Sequence, residues 1–375
     1  MPLKAVASLD ISRLEILNID GAVDKTLMPK VTDKLLLEMY RLMFQIRAFD
    51  ERAILLQRSG RLGTYPMITG QEATQCIPPL ALLPSDWVVP TYRGGGVYFA
   101  RGMQMRYGLL YWAGDDRGTQ FPDGNCDMIF SIPVGTHLTQ VAGLAWGQKL
   151  KGRSGVALTY CGDGTSSKGD LHEALTFAGQ FKLPLICIIE NNGWAISAPR
   201  KRQAASQTLA QKAWGYGVHG LQVDGNDALA VYAATVEAVA RARKGGGATL
   251  IECETYRMGH HTTADDSTRY RDDGEVAMWK KRDPISRFKK FLTAKKLWND
   301  EAEGALKTAT DAWINQEVTA YEDFPALNPL SMFANNYGTA PRHLIEQRTE
   351  LEELLKFKGG ANILMELPPT EGRFP

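Results

Sequence analysis

An α/β fold, doubly wound around a mainly parallel sheet flanked by helices, is what this sequence predicts, and three features predict it. Residues 156–160, 185–189 and 249–253 are apolar runs without polar alternation, the pattern of strands buried on both faces. Segments of helical spacing separate the runs, as crossovers between parallel strands require. Cap and turn residues stand where the periodicity changes.

Along the chain, residues 1–30 have weak periodicity and form an arm with room for one short strand. From Thr32 onward, Leu35, Leu36, Met39, Leu42, Met43, Ile46, Phe49 and Ala53 recur at helical spacing. They give one long helix with a broad apolar face that stops near Gly60 and Gly63. In "TGQEA", Thr69 as N-cap with Glu72 three positions on is a capping box that opens another helix. After the strand at 156–160, residues 171–181 have helical spacing behind an Asp170/Glu173 cap pair, and Pro184 precedes the run at 185–189. Asp227 caps an Ala-rich helix that ends at "KGGG", ahead of the strand at 249–253. Beyond Asp283 the chain is charged and helical, with a Leu-rich helix from about His343 to Phe357. The tail, residues 359–375, is apolar enough to lie on a partner surface, but a frayed terminus is the favoured reading. The expected division is an arm at 1–30, a main domain at 31–337, and a helix and tail at 338–375.

Composition narrows the function classes. The 375 residues are 44% hydrophobic and 23% charged, with a formal net charge of +1. That balance gives no global electrostatic reason for a nucleic acid or an anionic membrane as partner. No apolar run has the length of a transmembrane helix, and the first residues lack signal- or transit-peptide character. Five widely spaced cysteines with no C-x-x-C pair speak against a disulfide framework or a zinc knuckle and for reduced thiols in the cytoplasm.

The stretch "YCGDGTSSKGD", from Tyr160 to Asp170, carries the chemistry. In an open parallel sheet the ligand sits outside the carboxyl ends of the strands, so residues after Tyr160 and after Ile189 line one crevice. Asp163 and the pair Asn191–Asn192 occupy those places, separated by one strand–helix–strand crossover of about 30 residues. A carboxylate and an amide oxygen together suit magnesium, which takes few protein ligands plus substrate phosphates. Glycines beside Asp163 allow close backbone approach to a phosphate. The Walker and Rossmann spacings both fail here. A plain Asp-Gly turn of type I′ or II explains the glycines without any ligand.

The pairing of "GDG" with "NN" across one crossover resembles the thiamine diphosphate motif. More segments agree: "TGQEA", "TYRGGG", "SIPVGTHLTQVAGLAWG", "ENNGWAIS", "VDGND" and "YRMGHHTTADDSTRYR". In that order, over about residues 25–345, the chain resembles the alpha subunits of the two-subunit 2-oxo acid dehydrogenases. These are the thiamine-dependent first component of the pyruvate and branched-chain 2-oxo acid complexes, built on the thiamine diphosphate-binding fold.

That resemblance implies roles. Asp163 and Asn192 would ligate magnesium by side chain and Trp194 by its carbonyl, with Gly164 and Thr165 facing the diphosphate. Tyr92 and Arg93 match the family's pair on the diphosphate, where an arginine fork fits the oxygens; without the family, Arg93 reads as a surface salt bridge. Val134, which periodicity alone assigns to the core, would prop the cofactor into its bent form. The carbonyls of Ile132 and Val134 would meet the aminopyrimidine. His261 would reach the thiazolium and stabilise charge or move protons, a task that titration near neutrality suits. His260 is then a loop residue only, while Arg269, Tyr270 and Arg271 order the loop. Thr262 stands where mitochondrial relatives carry a regulatory phosphoserine. Two departures are visible: "RGTQFPDGNCDMIF" lacks a histidine that relatives often have there, and His137 replaces a frequent glutamine.

The implied reaction is oxidative decarboxylation of a small 2-oxo acid and reductive acylation of the lipoyl group of the acyltransferase core. The implied assembly is a heterotetramer of two alpha and two beta subunits, in which the beta chain supplies the glutamate that activates the cofactor. Pyruvate is the favoured substrate and 2-oxoisovalerate the alternative, in a bacterial cytoplasm. A magnesium-nucleotide binding module would use the same crevice.

Overall fold

Short aliphatic runs build a seven-stranded sheet in the computed structural model, which describes residues 3, 6, 7, 9–334 and 336–357. The expected tail at 359–375 lies outside the described residues. In chain order the strands are β1 (Arg13–Leu14), β2 (Trp87–Val89), β3 (Cys126–Asp127), β4 (Ala157–Gly162) and β5 (Leu185–Asn191). There follow a small hairpin of β6 (Trp194–Ala195) and β7 (Ala198–Pro199), then β8 (His219–Asp224) and β9 (Thr249–Glu254). The sheet order is β1-β8-β9-β5-β4-β2-β3, and every pairing in it is parallel.

Strands β4, β5 and β9 are the expected ones, and their side chains are buried from the first residue to the fifth. Strand β8 has no continuous apolar run. Only its last two residues, Val223 and Asp224, are buried, so its sequence carries no strong strand signal. β4 and β5 pair up to Gly162 opposite Glu190. That register brings the ends of the two strands, with the residues that follow them, side by side in the middle of the sheet.

The helix Asp33–Arg58 forms because Thr32 accepts from the Leu35 amide at 3.2 Å. It stops where the Ser59 amide reaches the Leu55 carbonyl at 3.0 Å and Gly60 turns to φ 73°. Leu36, Met39, Met43 and Ile46 on its inner face are fully buried. Burial of each such side chain stabilises the fold by roughly 1.5–3 kcal/mol. Asp227 caps the helix Ala228–Arg243 as expected, accepting from Leu229 and Ala230 through Oδ1 at 3.0 and 3.1 Å. Its Oδ2 accepts from Ile16 and Leu17, each at 2.6 Å, so one carboxylate also ties the arm to the sheet.

Two expected caps do not form. The helix Glu72–Cys76 starts after Gln71 with no side-chain cap, because the Thr69 hydroxyl donates to Asp50 instead. Glu72 folds back to accept from the Gly70 amide at 3.1 Å and pairs with Arg47. The helix Gly169–Gln180 likewise begins at Lys168 without a side-chain cap; Asp170 lies inside its first turn, 3.4 Å from the Lys168 ammonium. The charged C-terminal part forms helices Pro284–Ala294, Asp300–Glu322 and Arg342–Phe357. All five cysteines are free, and no helix among the described residues is long and apolar enough to cross a membrane.

Candidate active site

Beyond the carboxyl ends of β4 and β5 lies a cavity of about 550 Å³. Tyr92, Arg93, Ile132, Val134, Asp163, Gly164, Thr165, Asn192, Trp194 and His261 all line it, drawn from five separate stretches of the chain. No two of those stretches adjoin in sequence; the sheet brings them together.

The "GDG" turn is neither type I′ nor type II. Asp163 is right-handed helical (φ −54°, ψ −39°), and the chain continues through a tight turn, Gly164–Ser167, in which Ser166 donates to the Asp163 carbonyl at 3.1 Å. Neither Gly162 nor Gly164 takes a positive φ. Gly164 is required for room: a Cβ there would stand 2.6 Å from the Cβ of Ala195 in β6. The glycine therefore lets the β6–β7 hairpin close over the strand ends.

Asp163 is 2% exposed and has no cationic side chain within 4.0 Å among the described residues. Its Oδ2 accepts from Gln203 Nε2 at 3.0 Å. Burial pushes its carboxyl up to about 6, outweighing the hydrogen bonds and the Arg257 charge that pull it down. Asn192 donates to Gln71 Oε1 at 2.9 Å and accepts from the Trp194 amide at 3.2 Å. Asp163, Asn192 and Trp194 all line the cavity and offer a carboxylate, an amide oxygen and a carbonyl, the last accepting from Arg257 Nη1 at 3.5 Å, and no cation lies within 4.0 Å of the carboxylate among the described residues. Both facts fit magnesium. No group of three His, Cys, Asp or Glu residues able to hold a metal occurs among the described residues. The oxygen set contains a single acid, the composition of a magnesium site completed by phosphate and water.

The opposite wall is cationic. Arg93 is 5% exposed, so it is no surface ion pair; no carboxylate oxygen lies within 4.0 Å among the described residues. It donates to the Met67 carbonyl at 2.6 Å and to His261 Nδ1 at 3.0 Å. Its guanidinium carbon sits 5.5 Å from the Tyr92 ring centre. Arg257, fully buried, reaches the same Nδ1 at 3.2 Å and donates to the Ile196 carbonyl and the Tyr270 hydroxyl at 2.9 and 2.8 Å. Guanidinium groups only donate. Nδ1 of His261 is therefore an acceptor, and the ring proton resides on Nε2.

Burial first, then the Arg93 and Arg257 charges, push His261 down to about 4. The expectation of titration near neutrality is thus corrected: this imidazole is neutral at pH 7. His260 accepts from the Ser267 amide at 3.1 Å, a loop contact. Tyr270 donates to Asp265, which accepts from the His261 amide at 2.8 Å. Arg271 donates to the carbonyls of Met258 and Gly259 at 2.9 and 3.0 Å. Arg269 makes no side-chain hydrogen bond among the described residues, so the loop is ordered without it. Thr262 lines the cavity beside His261. His137 is buried against the Tyr160 carbonyl at 2.7 Å.

Ile132 and Val134 are 47% and 44% exposed, so Val134 belongs to the cavity wall and not to the core. The Val134 carbonyl accepts from Lys168 Nζ at 2.5 Å. Sequence reasoning missed Gln71, Lys168, Glu190, Gln203 and Arg257. Gln71 lies inside "TGQEA", where the local pattern marks Thr69 and Glu72 as a cap and leaves Gln71 unmarked. Glu190, beside the Asn pair, is buried, accepts from Thr74 at 2.8 Å and is pushed up to about 7 by burial. Arg257 precedes His261 by one helical turn's spacing on a segment that is not helical, and no pattern marks it.

The sequence profile of the dehydrogenase E1 component family matches residues 40–330. This chain belongs to the dehydrogenase E1 component family. A protein of Staphylococcus epidermidis named pyruvate dehydrogenase E1 component subunit alpha is 43% identical over 336 residues, covering 89% of this chain and 91% of that protein. A protein of Staphylococcus aureus with the same name has the same identity and coverage. Membership makes this E1 chain part of an oxidoreductase and implies thiamine diphosphate as its cofactor. The E1 fold is the seven-stranded parallel sheet described above.

Proposed function

We propose that this chain is the alpha subunit of a pyruvate dehydrogenase E1 component, with thiamine diphosphate and magnesium in the cavity beyond β4 and β5. The observation that carries the reading is a buried carboxylate with no cation within 4.0 Å among the described residues, Asp163, lining one cavity with Asn192 and with Arg93, a buried arginine that has no carboxylate within the same distance. A metal bound to a diphosphate complements the first, and anionic groups complement the second.

When bound, the cofactor supplies the nucleophile and the electron sink for decarboxylation of a 2-oxo acid. The chain's own residues bind, orient and shield. Asp163, Asn192 and the Trp194 carbonyl would hold the metal, and Gly164, Thr165, Tyr92 and Arg93 the diphosphate. Ile132 and Val134 give an apolar wall that excludes water from the reacting end. His261, neutral and protonated on Nε2, offers a hydrogen bond to developing negative charge and a proton at that nitrogen.

Pyruvate as substrate is supported by the names of the relatives, whose identity spans most of both chains. Those names also support a beta subunit as partner, in the proposed tetramer of two alpha and two beta chains, and a lipoyl acyltransferase core as acceptor. That both relatives are bacterial supports a cytoplasmic setting.

The test is reconstitution with the beta partner, thiamine diphosphate and magnesium, followed by 2-oxo-acid-dependent dye reduction. Pyruvate should be turned over faster than 2-oxoisovalerate; equal rates would remove the substrate assignment. His261→Ala should cost most of the rate, and an unchanged rate would remove the catalytic one.

A further inference from the structure

Behind the cavity, outside the residues assigned to it, stands another buried carboxylate with no cation within 4.0 Å among the described residues. Asp50, on the inner face of the helix Asp33–Arg58, is fully buried, and no Lys, Arg or His nitrogen lies within 4.0 Å among the described residues. It accepts from the Ile68 amide at 3.0 Å, the Thr69 amide at 3.0 Å and the Thr69 hydroxyl at 2.5 Å. Burial pushes its carboxyl up to about 6. A charge held in this way costs stability at neutral pH, so stability alone is a poor reason for its presence.

What it holds is the strap of residues 65–70, and that strap is bonded to Arg93 and to the chain on both sides of His261. The Met67 carbonyl accepts from Arg93 at 2.6 Å, the guanidinium that donates to His261 Nδ1. The Thr69 carbonyl accepts from the Met258 amide at 3.0 Å, and the Gly70 carbonyl from the Thr255 hydroxyl at 2.9 Å. On the far side of His261, the Thr263 amide donates to the Tyr65 carbonyl at 3.2 Å and its hydroxyl accepts from the Tyr65 amide at 3.3 Å. The strap is therefore bonded to the chain before and after the histidine, and Asp50 fixes it where Met67 meets Arg93.

We propose that Asp50 is a positioning residue: through the strap 65–70 and Arg93 it sets the orientation and tautomer of His261. The inference rests on the catalytic reading of His261 only for its kinetic consequence. Asp163 is held by Gln203, away from the strap, whereas Asn192 reaches the strap through Gln71, whose backbone amide donates to the Ile68 carbonyl at 2.9 Å.

The experiment is nitrogen-detected NMR of the imidazoles in the full chain, with His261→Ala assigning the signal. In the parent, His261 should show an unprotonated Nδ1 and a protonated Nε2. In Asp50→Asn one acceptor becomes a donor facing the Ile68 and Thr69 amides, and the His261 signals should move toward mixed tautomers. In the reconstituted enzyme kcat should fall about ten-fold or more, with KM for the 2-oxo acid within about two-fold. Unchanged His261 signals in a folded Asp50→Asn chain would overturn the proposal, whatever its melting temperature. Should Asp50→Asn not fold, Thr69→Val, which removes one donor, should shift the signals and Thr69→Ser should leave them at the parent positions; identical spectra for the two would overturn it as well. The spectrum is read without cofactor or substrate, so its failure is distinct from a loss of the catalytic reading, which His261→Ala tests by rate.

Discussion

The two walls of the cavity make opposite electrostatic demands. At the ends of β4 and β5, Asp163 has no cation within 4.0 Å among the described residues and is pushed up to about 6 by burial. On the other wall Arg93 is a cation with no carboxylate within 4.0 Å among the described residues, and burial, then Arg93 and Arg257 behind it, hold His261 neutral, down at about 4. Each wall alone is an unfavourable burial of charge. Together they outline a ligand that brings a cation to one side and anionic oxygens to the other. The difference teaches that the cavity is preorganised for a bound group and is completed only by it.

The largest expected effect strikes the anionic wall. Asp163→Ala should weaken magnesium-dependent binding of thiamine diphosphate to the reconstituted enzyme by about 100-fold or more, measured by calorimetry, because the single acid of the oxygen set is lost. The same substitution should leave the cofactor-free chain at least as stable as the parent, since an uncompensated buried charge disappears. Retained affinity would dissolve the contrast between the walls.

Next comes the cationic wall. His261→Ala should lower kcat by about 10²–10³ with little change in cofactor affinity. Because the ring is already neutral at pH 7, the acid limb of the kcat profile should not carry a group at the ordinary histidine value; a limb there that vanishes in His261→Ala would contradict the lowered pKa. Stability gives the sign independently. His261 binds its proton more weakly in the folded chain, so it subtracts stability as pH falls from about 6.5 toward 4. Asp50, raised to about 6, does the reverse: its protonation favours the fold below the unfolded value, and that contribution is lost as pH rises toward 6. Between about pH 4 and 6, Asp50→Asn should therefore remove a stabilisation on acidification, and His261→Ala a destabilisation, in chemical denaturation of the cofactor-free chain.

The walls also differ in how much of them the sequence makes legible. The anionic wall sits at strand ends, where sheet topology converts spacing into proximity: Asp163 and Asn192 follow two apolar runs one crossover apart, and the ends of those strands adjoin. The cationic wall is assembled by irregular chain. Nothing in "YRMGHHTT" says that Arg257 will fold back on His261, and the reversed pKa follows from that contact. The same limit explains the failed capping box. The pattern at Thr69 and Glu72 is local, whereas the Asp50 carboxylate that takes the Thr69 hydroxyl comes from a helix formed well before it in the chain. Strand β8 was missed for another reason: its early positions are partly solvated, so no apolar run announces it.

The smallest expected effect lies where the two walls meet, in the β6–β7 hairpin. Its two-residue loop places Ile196 at φ 55°, while Ser197 is not left-handed. Glycine is the usual residue at the first position of such a turn, and a β-branched side chain there costs about 1–2 kcal/mol. Ile196 is 57% exposed and lines the cavity, and its carbonyl accepts from Arg257 at 2.9 Å, so the strained residue joins the metal-side hairpin to the cationic wall. Ile196→Gly removes the strain but adds backbone entropy to the unfolded chain worth about 0.5–1 kcal/mol, so the net gain should be at most about 1 kcal/mol. Ile196→Asn tolerates the left-handed region without that entropy, and should stabilise the chain more than glycine does. Both variants lose the apolar Ile196 side chain from the cavity lining and should bind thiamine diphosphate more weakly in the reconstituted enzyme despite their higher melting temperatures. A variant that gains stability and keeps full affinity would show that the hairpin's strain serves neither wall.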